Sequence, residues 1–223
     1  MSLFLFEDSA VYSQSQGNLS IYDTNAKPYG LSYEDHVIKY NKFILSIPLD
    51  SNPGTDETGE RCTTGQNLEN SSIFYLTGGS GGNIERTCTI PAGLGLFIPM
   101  IEVEASTGEV PGATVEDLHQ IAETDQDNVK SLVLRINATE YPYDYLKKFR
   151  THTHEFDIVF PENALFGANP GPSKVVGDGH YVITNPVSPG TYRIQFGGSL
   201  VCLEVNCLEP TFGTNTIYNL IVK

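Results

Sequence analysis

The sequence predicts an all-β protein, a β-sandwich or jelly roll with two short helices and disulfide stabilisation. Three observations predict this. Short runs rich in Val, Ile, Phe, Tyr and Thr recur with turn signals roughly every eight to twelve residues. Gly 21 and Pro 13 in a chain of 223 residues supply those turns without reaching the share that marks disorder. Four cysteines fall into two sequence-local pairs, which suggests disulfides Cys62–Cys88 and Cys202–Cys207. At 39% hydrophobic, with 12 Tyr and 11 Phe, the chain can fill a substantial core.

Residues 1–28 read as an extended N-terminal arm or the remnant of a signal peptide, and 29–223 as a single β-rich domain. The opening MSLFLFEDSAVYSQSQ has a short apolar run but lacks a basic start and a long apolar core. In YGLSYEDHVIKYNKFILSIP, Ser32 can cap a helix, Asp35 three residues on can complete a capping box, and Pro48 stops the run. Tyr33, Val37, Tyr40 and Ile44 recur at helical spacing. LDSNPGTDETGERCTTGQ is a long polar loop. Strands follow in SIFYLTGG, IERTCTIPAG and GLGLFIPMIEVEAS, the last apolar enough to be central. GATVEDLHQIAE gives the second helix, capped by Thr114. SLVLRINA alternates, placing Leu132, Leu134 and Ile136 on one side. YPYDYLKKF reads as a turn before the strand RTHTHEFDIVFP. GDGHYVITNPVSPGTYRIQFGG reads as a hairpin, and TNTIYNLIVK as the last strand.

The charge is strongly negative: 27 acidic against 13 basic residues give −14. Such a surface repels phosphate backbones and excludes nucleic acid as a partner class. No segment approaches the roughly 20 apolar residues of a membrane-spanning helix. Paired cysteines and the sequons at Asn18, Asn70 and Asn137 fit an exported glycoprotein, extracellular or on the cell surface.

Several segments together resemble a family of secreted, β-rich bacterial and archaeal proteins to which no activity is assigned. They are Tyr29–Ser32, Leu45–Pro48, Glu85–Gly93, Leu96–Pro99, Phe160–Gly167, Asp178–Gly179, Ser188–Gly190 and Phe196–Gly198. The resemblance implies export and a β-rich fold. It implies no reaction.

Four sets of residues carry candidate chemistry. On one strand His152 and His154 would share a face, about 7 Å apart, and His180 lies on a strand that can pair with theirs. Three converging imidazoles would suit zinc, copper or manganese. The His-x-His spacing is similar to that of the first cupin motif, although the glutamate of that motif is absent here. A polar strand face accounts for the same residues. Tyr141, Tyr143 and Tyr145 form an aromatic cluster able to stack on sugar rings. Glu102, Glu104 and Glu109 could act as paired carboxylates or bind calcium, as could Asp50, Asp56, Glu57 and Glu60 in the polar loop.

The expected function is therefore non-catalytic: binding of a surface ligand such as a glycan, or a part in a surface layer. A metal-dependent enzyme built on the three histidines is one alternative. The other is a filament subunit that self-associates through its N-terminal arm.

Overall fold

The computed structural model describes residues 19–204, 207–208 and 211–223. Residues 1–18 of the predicted arm, including the Asn18 sequon, lie outside the described residues. Leu19 is buried, and Ile21 and Tyr22 pack on the same core. Ile21 bridges to Thr184, and Tyr22 N–H donates to the Ile183 carbonyl.

The chain is mostly β. In order, the elements are α1 (Tyr33–Leu45), β1 (Ile73–Tyr75), β2 (Gly82–Ile90), β3 (Gly95–Ser106), α2 (Val115–Asp127), β4 (Val129–Ile136), β5 (Thr139–Glu140), α3 (Tyr143–Leu146), β6 (Arg150–His152), β7 (Phe156–Phe160), β8 (Gly171–Ile183), β9 (Gly190–Val201) and β10 (Thr211–Val222). Both long helices begin where the caps predict. The Ser32 hydroxyl accepts from Asp35 N–H while Asp35 accepts from Ser32 N–H, and Thr114 and Asp117 do the same at α2. Tyr33, Val37, Tyr40 and Ile44 form the buried stripe of α1. The segment expected to be a turn, YPYDYLKKF, winds into the short helix α3 instead.

The strands form two sheets. One has the order β1–β3–β8–β6, with β7 also on β8; the other runs β2–β10–β9–β4–β5. One buried apolar cluster draws on both, including Ile98 and Ile101 of β3 with Phe196 and Leu200 of β9 and Leu220 of β10. The sheets approach closely at Gly198, where a Cβ would lie 3.1 Å from Ile101 Cβ and 2.7 Å from the Ser131 carbonyl oxygen. Only glycine fits there, which gives the FGG segment a packing role. Both predicted disulfides are present, with Cα–Cα distances of 6.2 Å for Cys62–Cys88 and 6.0 Å for Cys202–Cys207.

A further expectation is corrected. The hairpin predicted across Gly177–Gly198 does not form, because β8 and β9 belong to different sheets. β8 has β3 on one side and β6 and β7 on the other, while β9 sits between β10 and β4. The turn-rich segment with Pro186 and Pro189 carries the chain from one sheet to the other. β3 lies inside its sheet, between β1 and β8, as its apolar run predicts, but it is flanked on both sides only at its start. β1 pairs with Gly95–Phe97 alone, so the rest of β3 has a strand neighbour only in β8.

Candidate functional site

That missing neighbour leaves a space. A partly open cavity of about 710 Å³ runs along the uncovered stretch of β3, and six consecutive residues, Pro99–Glu104, line it. Successive strand residues point to opposite faces, so an unbroken run can line one space only where a strand edge is bare. α1 contributes Asn41, Ile44 and Leu45; the segment after β1 contributes Gly78–Gly81, and β10 contributes Thr211–Thr214.

The wall bears four carboxyls, Glu102, Glu104, Glu109 and Asp125, and among the described residues no lysine, arginine or histidine. Glu102 and Glu104, two apart on β3, share a face; Glu109 sits on the turn that follows. Glu102 pairs in register with Gly179 of β8, where a Cβ would come within 2.8 Å of Glu102 Cβ and 2.7 Å of Tyr181 Oη. The glycine makes room for the Glu102 side chain beside the Tyr181 hydroxyl. Burial pushes the Glu102 carboxyl up to about 7, while the Tyr181 and Tyr40 hydroxyls pull it down.

Glu104 is the most enclosed of the three, 8% exposed. No hydroxyl, amide or cation donates to either of its oxygens, and its neighbour is the Glu109 carboxyl. Burial raises Glu104 well above the usual carboxyl range, with Glu109 and then Glu102 adding repulsion. Burial also lifts Glu109 to about 6, opposed by the Ser106 hydroxyl, which donates to Glu109 Oε2 at 2.6 Å, and by Glu104. Two carboxyls this close hold a proton between them rather than both ionising. Asn41, 1% exposed, donates through Nδ2 to the Val37 carbonyl at 3.1 Å, but its Oδ1 has no partner.

Arg86 of β2 supports the rim. It is fully buried, and its guanidinium donates to the Gly54 carbonyl at 2.9 Å, to Tyr218 Oη at 2.9 Å and to the carbonyls of Asp56, Thr77 and Gly78. Gly54 and Gly78 both line the cavity. Sequence reading named the three glutamates but missed Asn41 and Arg86. Asn41 lies on the buried stripe of α1, and Arg86 sits in a strand whose alternation alone marks it as inward-facing.

The histidines lie elsewhere and apart. The strand expected to carry both His152 and His154 breaks after His152, and β7 starts only at Phe156. His154 turns to α1, where its backbone N–H and Nδ1 meet Glu34 Oε1 at 2.8 and 2.7 Å. His180 is buried with Nδ1 at 3.1 Å from Gln126 Oε1. Burial, aided by the Arg150 charge, pushes its pKa down to about 4. His180 stands opposite Arg150, and His152 opposite Asp178. The three imidazoles do not bring ligand atoms within 4.8 Å of one another. Among the described residues the one group that meets that spacing is Asp125, Cys202 and Cys207, whose sulfurs are joined in a disulfide.

The tyrosine patch spends its rings on itself. Tyr141 stacks on Tyr145 at 5.7 Å, Tyr145 meets Phe149 edge-on at 5.4 Å, and Lys148 Nζ lies 4.4 Å from the Tyr145 ring centre. Tyr143 alone is exposed, at 42%. In the polar loop Asp56 accepts backbone N–H bonds from Thr58 and Arg61, so its oxygens organise a turn. Asn70 is exposed, and Asn137 sits at the β4–β5 turn with φ 53°. No protein-family profile, curated protein or solved structure matches the chain.

Proposed function

We propose that this is an exported, non-catalytic β-sandwich protein that binds a small organic ligand in the cavity along β3. One observation carries the reading: a space of about 710 Å³, within the range of ligand pockets, walled by apolar side chains and by buried polar atoms that lack partners inside the protein. Buried polar groups are ordinarily satisfied, so Asn41 Oδ1 and the Glu104 oxygen not shared with Glu109 mark where a ligand would supply the missing donors. Two disulfides fit an oxidising compartment, and no helix among the described residues is long and apolar enough to cross a membrane. Glycan stacking on Tyr141, Tyr143 and Tyr145 is less favoured, because two of the three rings face each other.

Native mass spectrometry of protein secreted by its own host tests this. A bound species of a few hundred daltons, lost from a Gly78→Trp variant that adds bulk where a Cβ meets nothing within 4 Å, is the expected result. Ligand-free protein whose melting temperature no member of a metabolite library raises would overturn the reading.

A further inference from the structure

The chemistry of the wall narrows the ligand class. Glu102, Glu104 and Glu109 face the space, and among the described residues no lysine, arginine or histidine lines it. A neutral or anionic ligand would leave these carboxyls protonated, whereas a cation would let them ionise. A divalent metal fits poorly: no three carboxylate oxygens of Glu102, Glu104, Glu109 and Asp125 lie within 4.8 Å of one another, whereas calcium takes six to eight oxygens. The independent clue is Asn41. Its buried Oδ1 is an acceptor without a donor, on the helix across from the glutamates. Phe212 and Phe166 add aromatic rings to the wall. Phe166 is 62% exposed and held at φ 56°, a conformation that bulky residues avoid unless something else requires it.

Resting on the cavity-binding reading above, we propose that the ligand is an organic monocation, an amine carried as its ammonium on an apolar body. Its N–H groups satisfy Glu104, Glu109 and Asn41 Oδ1, and its body packs on Ile101, Phe166 and Phe212. Glu104 and Glu109 share a proton. An entering ammonium replaces that proton, so binding releases it to solvent: the carboxyl O–H bond breaks, the proton goes to buffer, and the ammonium N–H takes over the hydrogen bond. The other titratable groups around the pair are Glu102 on the same strand, Asp125 on α2, and Tyr40 of α1 and Tyr181 of β8, both against Glu102. Arg86 acts on Tyr40, but its donors are already taken by carbonyls and Tyr218.

Calorimetric titration of the whole chain at pH 6 with hexylammonium, 1-hexanol and hexanoate tests this. Hexylammonium should bind at least tenfold more tightly than hexanol, and hexanoate should not bind. Its apparent heat should differ between phosphate and MES buffers by the release of up to one proton. In Glu104→Gln/Glu109→Gln, checked for folding by circular dichroism, the preference and the buffer dependence should both vanish. Hexanol or hexanoate binding as tightly as the amine would overturn the cation assignment while leaving the cavity as a binding site. Failure of all three to bind would also overturn the assignment, and the cavity reading would then stand or fall by its own mass-spectrometric test. A melting-temperature rise with calcium alone, lost in the double variant, would replace the amine with a metal.

Discussion

Arg150 of β6 and Asp178 of β8 meet as a forked ion pair, with Nη2 2.8 Å from Oδ2 and Nε 3.0 Å from Oδ1. The partners are unequal. Asp178 is 1% exposed whereas the Arg150 side chain keeps 28% of its surface and also reaches Asp127. Removing the arginine strands a buried carboxylate; removing the aspartate leaves an arginine that still has Asp127 and some water.

Arg150→Ala should therefore destabilise by about 3–5 kcal/mol, and Asp178→Asn by clearly less. Urea unfolding of the two variants at neutral pH checks the order. Equal losses would mean that the pair contributes through packing rather than charge.

The cavity carboxyls predict an unusual pH dependence. A carboxyl whose folded pKa is raised keeps protons that the unfolded chain has already released. Its stabilisation is thus complete below about pH 4.5 and disappears as pH rises through the folded value. His180, with its folded pKa pushed down to about 4, and His36, also lowered by burial, act oppositely between pH 4 and about 6.5. Above that only the carboxyl trend remains, from Glu102 at about 7 and the strongly raised Glu104. The melting temperature should fall by up to about 5 °C from pH 6.5 to 8, and Glu102→Gln/Glu104→Gln should flatten the curve. A rising curve in wild type would show that these glutamates are ionised in the folded protein.

The two disulfides should differ in weight. Cys62–Cys88 spans 26 residues and Cys202–Cys207 only 5. Loop-closure entropy then gives about 3.5 kcal/mol for the first and about 2 kcal/mol for the second. Serine pairs at each site, compared by guanidinium unfolding, should show the longer bridge losing more.

Gly198→Ala should cost about 1–3 kcal/mol through overpacking between the sheets, since its methyl would meet both Ile101 and the Ser131 carbonyl. Thermal unfolding measures the loss. An unchanged melting temperature would mean that the sheets can separate by several tenths of an ångström without penalty.

Much of this was readable from local signals and some was not. Ser32 with Asp35 and Thr114 with Asp117 fixed both long helices, because a capping box depends on neighbours in sequence. The alternation Leu132, Leu134, Ile136 marked the buried face of β4 for the same reason. The pairing of β8 with β3 rather than β9 was not legible: turn residues between two strands look alike whether the chain folds back or crosses to another sheet. His152 and His154 were placed together by strand periodicity, which says nothing of the break that sends His154 to Glu34. Glu102, Glu104 and Glu109 could be named, yet their burial depends on where β1 ends. Asn41 looked like any polar residue on a helix.

The parallel pairing of β2 with β10 sets an order of events during synthesis. Gly82–Ile90 finds its partner in Thr214–Val222, so β2 emerges from the ribosome more than a hundred residues before the strand that covers it. Contacts this far apart in sequence slow folding. The second sheet can close only once Thr211–Val222 has been made, and loss of that strand would leave β2 without its ladder. The first sheet, whose last strand β8 ends at Ile183, can close earlier, so β2 waits unpaired while that sheet is already in place.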